Sequence, residues 1–243
     1  MSNTYVLIHD SWHDGGCWAQ VARRLEEQGH KTFAPTLAGS GPGVERAGVT
    51  LENCIDSLVK SIEAKDLRGV TAVAHGWSGA VLSGAAPRIA DRLSRLVFWN
   101  AFVLKTGESV LDVIPPPYRE LFAALSSQTK DRTVLPPWEV FRSAFMQLGS
   151  EEAAREAYAQ LTPTPMSVFE GTLDQARFTA LDIPKSFLHC RQNLSLPPGE
   201  YAWYPRFGER LGKHKLVEAD GCHEALFTNP AEIADAIIKA SSD

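Results

Sequence analysis

Along the 243 residues, short apolar, β-branched runs alternate with longer stretches whose apolar positions recur every three or four residues. That alternation predicts a parallel sheet with crossover helices. TYVLIH at 4–9 predicts the first strand, and Trp18, Val21, Ala22 and Leu25 mark one face of a helix over 17–28 that Gly29 stops. A strand at 31–34, a Gly/Pro loop and a helix over 51–65 follow, then a third strand, GVTAVAH, ending at His75. The small residues of GWSGAVLSGAA at 76–86 predict a helix held tightly to the sheet, and LSRLVFWN predicts the fourth strand. From 101 to 181 the alternation lapses into helical pieces with Pro clusters at 115–117, 136–137 and 163–165, which predicts a helical cap inserted over the sheet. IPKSFLHC resumes the strands, and a helix over 199–211, the strand KLVEAD and a helix over 224–239 complete the pattern. The expectation is one α/β domain over 1–243 with about six mostly parallel strands.

Composition narrows the function classes. Lys and Arg number 24 against 29 Asp and Glu, a formal net charge of −5, and no basic stripe is present to neutralise phosphates, so nucleic acid is not an expected partner. No run of 18 apolar residues occurs and MSNTYVLIHD lacks the features of a secretory signal, so no membrane partner and a cytoplasmic location are expected. Cys17, Cys54, Cys190 and Cys222 have no metal-ligand spacing and are read as reduced. With no Gly-rich phosphate loop and no metal cluster, neither cofactor nor metal is expected.

Seven segments carry a resemblance: VLIHDSWHDGGCW at 6–18, APTLAGSG at 34–41, VAHGWSGAV at 73–81, NAFVLKTGES at 100–109, LTPTPMSVF at 161–169, CRQNLSLPP at 190–198 and GCHEALFTNP at 221–230. In this order they resemble the α/β-hydrolase family, in the branch of hydroxynitrile lyases, plant methylesterases and their bacterial esterase relatives. The resemblance implies the α/β-hydrolase fold and a homodimer, and it carries the family's triad onto Gly76, Asn193 and His223, where the family has Ser, Asp and His. Gly76 has no side chain to attack a carbonyl, and Asn193 can orient a histidine but cannot stabilise its cation as a carboxylate does. Ser78 is the alternative nucleophile, although that register shortens the following helix by two residues. Asp10, where the family usually has Gly, suggests a relocated acid/base pair with His223, Gly76 leaving room for substrate. The resemblance places the oxyanion hole at the N–H groups of Ser11 and Trp77 and makes His75 and His13 structural. Trp12, Trp77, Trp138, Phe141, Phe145, Met146, Tyr158 and Phe169 are read as the surface that selects an apolar, ring-containing small molecule.

Three readings follow. The preferred one is a cofactor-independent, non-hydrolytic enzyme (lyase, isomerase, cyclase or dehydratase type) acting on a carbonyl or hydroxy compound. The second is a hydrolase of an ester, lactone or epoxide without a serine nucleophile, in which Asp10 itself attacks or His223 activates water. The third is a binding protein that keeps the pocket and has lost catalysis.

Overall fold

The computed structural model describes residues 2–242. Its frame is a parallel sheet of β1 (Thr4–Ile8), β2 (Lys31–Phe33), β3 (Val70–His75), β4 (Leu93–Trp99), β5 (Lys185–Cys190) and β6 (Lys215–Ala219), in the order β2-β1-β3-β4-β5-β6. The chain leaves β1 for one neighbour and later returns to the other, so the strand order reverses between β1 and β3. The crevice beyond the carboxyl ends of these two strands is where an open parallel sheet binds its ligands.

Alternation along each strand builds two cores, because successive side chains point to opposite faces. Tyr5, Leu7, Val73 and Val97 meet Val21 and Leu25 of α1 (Ala19–Glu27) on one face. Val6, Ile8, Ala72 and Phe98 meet Ile55 and Leu58 of α2 (Leu51–Ala64) and Val81 of α3 (Ser78–Ala85) on the other. The small residues of α3 serve close approach, since a Cβ on Gly79 would stand 2.3 Å from the Phe102 carbonyl oxygen.

Between β4 and β5 the chain forms α4 (Pro116–Ser127), α5 (Glu151–Ala159), a π-helical turn over Phe141–Phe145, and a two-residue antiparallel ladder of Thr133–Val134 with Thr164–Pro165. Two helices expected from the pattern are shorter than their periodicity. Of 199–211 only Arg206–Arg210 is helical, because Pro205 has no N–H to join an earlier turn. The final helix divides into Ala225–Thr228 and α6 (Pro230–Ser241), with Pro230 at the first turn of the second piece. All four cysteines are free and buried. Among the described residues no helix is long and apolar enough to cross a membrane.

Candidate active site

The loop after β1 and the turn after β3 meet at the crevice. Gly76, directly after β3, takes φ +56°, the left-handed conformation that glycine adopts without strain. Trp12 is also left-handed, at φ +68°, and is fixed by Thr164 Oγ1, which accepts from its N–H at 2.7 Å, and by its carbonyl, which accepts from Thr162 N–H at 2.7 Å. This bend turns Asp10 back over the elbow. A Cβ on Gly76 would lie 2.1 Å from both Cγ and Oδ2 of Asp10. The carboxylate therefore stands in the space that an elbow side chain would use, and the room expected for substrate above Gly76 is filled by Asp10.

The expected oxyanion donors converge as expected, but on this same carboxylate. Asp10 Oδ1 accepts from Ser11 N–H at 2.7 Å and from Trp77 N–H at 2.5 Å, with the Ser11 hydroxyl at 3.4 Å. The expectation of an open hole for a substrate carbonyl is thus corrected, because a neighbouring anion satisfies both donors. Ser78 is not aimed at the site: its hydroxyl donates to the carbonyls of Ile8 and His75, and it is fully buried at the start of α3.

Asp10 Oδ2 lies 2.8 Å from His223 Nε2. The other ring nitrogen of that histidine faces Asn193 and Ser195. Asn193 accepts at Oδ1 from Ser195 N–H (2.9 Å) and from Ser195 Oγ–H (2.7 Å), which only an oxygen can do. Its Nδ2–H therefore faces His223 Nδ1 at 2.9 Å, and the Ser195 hydroxyl oxygen lies 3.1 Å from the same nitrogen. Trp203 Nε1–H, donating to Ser195 Oγ at 3.0 Å, fixes the serine. Burial pushes the Asp10 carboxyl up, but the hydrogen bond and proximity of His223, with His75 and the Trp77 N–H adding to them, outweigh it and hold the carboxyl at about 2. His75, stacked 4.0 Å from Trp99 and 4.5 Å from His223, is pushed well below the ordinary histidine range by burial and by His223 beside it.

Residues 5–236 match the model of the alpha/beta hydrolase family. The chain belongs to that family. An extracellular alpha/beta-hydrolase from a Paenibacillus species, described as sharing structural and functional homology with tobacco salicylic acid binding protein 2, superposes with a TM-score of 0.96 at 32% identity, over 99% of this chain and 100% of that one. The carbendazim hydrolyzing esterase of Nocardioides sp. (strain SG-4G) is 38% identical over 113 residues, 46% of this chain and 47% of the relative, so the match spans about half of that esterase. Methylesterase 1 of Arabidopsis thaliana is 23% identical over 97% of this chain and 94% of its own length.

In this α/β-hydrolase the carboxylate and His223 open onto a narrow cavity of about 40 Å³. Trp12, Trp77, Phe145 and Phe169, expected at the substrate, line it together with Phe122 and Tyr118. Trp138, Phe141, Met146 and Tyr158 do not. The π-helical turn directs Phe145 to the site, 5.3 Å from the His223 ring, and sends Phe141 into the cap beside Trp138 and Tyr158. Trp138 packs outward under the Arg155 guanidinium at 4.5 Å. The sequence reading missed Ser195, Trp203, Tyr118 and Phe122. The run NLSLPP held one usable signal, because a serine two residues after Asn193 is placed to bond back to its side chain.

Asp10, His75 and His223 offer three ligand atoms within 4.8 Å of one another. The two rings lie 4.5 Å apart, tilted at 32°, and the Asp10 oxygens are already bonded to Ser11, Trp77 and His223. The arrangement suits nucleophilic and proton chemistry better than metal ligation.

Proposed function

We propose that this α/β-hydrolase uses Asp10 as a nucleophile at saturated carbon. It opens a strained or activated C–O bond, of the epoxide or lactone kind, in an apolar ring-containing molecule, and then hydrolyses the ester it has formed. The observation that carries this reading is the carboxylate in the elbow space, with Oδ1 held by two backbone N–H groups and Oδ2 turned to His223. Attack on an acyl carbon would create a substrate oxyanion with no donors left for it. Attack on saturated carbon creates none at that position. In the resulting ester the carbonyl oxygen is Oδ1, already in the hole, so later addition of water at Cγ develops charge where the donors stand.

In the first step the Oδ2–carbon bond forms as the C–O bond breaks, and the electron pair passes to the leaving oxygen, which solvent protonates. In the second, water adds at Cγ and gives its proton to His223 Nε2. Collapse breaks the Cγ–Oδ2 bond, the leaving alkoxide takes the proton back from His223 and departs as the alcohol, and the Asp10 carboxylic acid, now carrying an oxygen from water, gives its proton to solvent. The imidazolium formed when water gives up its proton has the amide of Asn193, 2.9 Å from Nδ1, where a carboxylate would stabilise it, so release of the covalent intermediate is the slow step. The esterase names of the relatives support a hydrolytic outcome.

A second reading, proton transfer without hydrolysis, draws on the 2.8 Å contact between Asp10 and His223. A carboxyl at about 2 lies roughly five pH units below the value that suits a general base at neutral pH, and we rank this reading second for that reason. Incubation with styrene oxide followed by peptide mass mapping distinguishes them. The expected result is an adduct on Asp10, absent from Asp10→Asn, with oxygen-18 from labelled water entering Asp10 during turnover. Turnover with no adduct and no label in Asp10 overturns the nucleophile.

A further inference from the structure

We infer that Ser195 is the positioning residue for His223: its hydroxyl stands against Nδ1 in place of the carboxylate that Asn193 lacks, and it serves that nitrogen with or without a proton. This role depends on the reading above only in that His223 carries a proton during turnover. Three partners surround the buried hydroxyl, and two of them are fixed in kind. Trp203 Nε1–H, 3.0 Å away, can only donate, and Asn193 Oδ1, 2.7 Å away, can only accept. His223 Nδ1, at 3.1 Å, is the third. A hydroxyl has one hydrogen and two lone pairs, and the indole takes one of the lone pairs. When Nδ1 carries a proton, the second lone pair accepts it while the hydroxyl hydrogen points to Asn193 Oδ1. When Nδ1 carries a lone pair, the hydrogen turns to it, and Oδ1 keeps the N–H of Ser195 at 2.9 Å. One bond rotation therefore satisfies the ring in both states. Asn193 cannot do this, because its Oδ1 is turned to Ser195 and only its N–H faces the ring, at 2.9 Å. Trp203 also stacks on His223, 5.6 Å away at 17°, so one side chain holds both the hydroxyl and the face of the ring.

The turn at 193–195 does not need the hydroxyl. The bond from Ser195 N–H to Asn193 Oδ1 closes it, and a residue without a side-chain oxygen keeps that bond. The titratable groups facing His223 are Asp10 from the loop after β1, at 2.8 Å, and His75 from the end of β3, with 4.5 Å between rings. Glu224, next in the chain, is turned to His13. Phe145 of the π-helical turn and Trp203 add no charge. Removing the Ser195 hydroxyl leaves these groups in place and takes from the protonated ring its acceptor at Nδ1.

The test follows the ring proton resonances of His223 across pH by NMR, without substrate. A hydrogen bond to the charged form favours that form, so in Ser195→Ala the titration midpoint is expected to fall by at least about one pH unit. The isosteric pair Ser195→Thr and Ser195→Val separates hydroxyl from volume. The first is expected to stay within about half a pH unit of the parent, and the second to follow Ser195→Ala. A loosened site that merely admitted solvent would move the midpoint the other way, because lost burial favours the cation. A midpoint unchanged or higher in Ser195→Ala, or equal midpoints in the Thr and Val variants, overturns the role. With styrene oxide, the Asp10 adduct is expected to decay at least about fivefold more slowly in Ser195→Ala, its formation changing by less than about twofold. Failure here is separable from failure of the nucleophile. An adduct whose decay ignores Ser195→Ala removes the role of Ser195 alone, and a lowered midpoint without any adduct upholds it while removing the covalent step.

Discussion

Consecutive residues on the loop after β6 build two buried histidine–carboxylate pairs. His223 meets Asp10 at 2.8 Å, and Glu224 meets His13 at 3.1 Å, all four side chains being almost wholly buried. In the first pair the carboxylate oxygens are held by Ser11, Trp77 and His223, and Asn193 and Ser195 stand against the far nitrogen of the imidazole. In the second, Glu224 Oε2 has no hydrogen-bond partner. Burial lowers the pKa of His13, but the charge and hydrogen bond of Glu224 raise it by more. The first pair stands beside a cavity, whereas the second ties the loop after β1 to the loop after β6. What separates them is not the two residue types but the further groups bonded to the first pair.

Breaking the first pair has the largest expected effect. Asp10→Asn keeps an acceptor for Ser11 and Trp77 but lacks the anionic oxygen, and turnover should fall by about 10³-fold or more while circular dichroism stays unchanged. Activity within tenfold of the parent would remove Asp10 from the chemistry. Breaking the second pair should act on folding instead. Glu224→Gln leaves a buried imidazole without its counter-charge and is expected to cost about 3 kcal/mol in urea unfolding, with turnover per folded molecule changed by less than about threefold.

The pairs should also respond to pH in opposite directions. The Asp10 carboxyl is lower in the folded chain, about 2 against an ordinary 3.8, so its contribution, about 2 kcal/mol, is complete above the ordinary value and is lost as pH falls through about 2. His13 is higher in the folded chain than its ordinary 6.5, so its contribution is complete below that value and is lost as pH rises through the folded value. Stability curves of Asp10→Asn and His13→Gln should flatten on the acid and alkaline sides respectively, and the reverse pattern would invalidate the comparison. The smallest expected change sharpens the role of Asn193. Asn193→Asp gives His223 Nδ1 an acceptor, so the Asp10 adduct should decay about tenfold faster in single-turnover mass spectrometry.

The sheet was legible because strand and helix periods persist through whole elements, as in TYVLI and in α2. Pairing of Asp10 with His223 was legible through the family resemblance, which sets the residue after the first strand beside the elbow and the histidine. That Asp10 itself takes the N–H groups of Ser11 and Trp77 was not, since an N–H donor carries no mark of the atom it will meet. Ser195 and Trp203 lie in irregular backbone, where no period assigns a direction to a side chain, and Tyr118 lies on α4, whose docking over the sheet its own period does not set. Trp138 and Phe141 were misdirected for the same reason, because five residues in a π turn rotate the chain away from the α-helical spacing.

The overlap at Gly76 constrains how such a site can have arisen. A Cβ at position 76 and the carboxylate of Asp10 would stand 2.1 Å apart, so a serine at the first and the aspartate in this pose at the second exclude each other. A lineage passing from a serine enzyme to this arrangement would have to give up the serine before Asp10 could take this pose, crossing a chain with glycine at 76 and no anion above it. Return is blocked in the same way, because installing serine first expels the aspartate without regaining the orienting carboxylate at 193. Ancestral intermediates of this kind would be poor catalysts by either chemistry, and the order of substitutions, more than their number, would decide whether the path could be travelled.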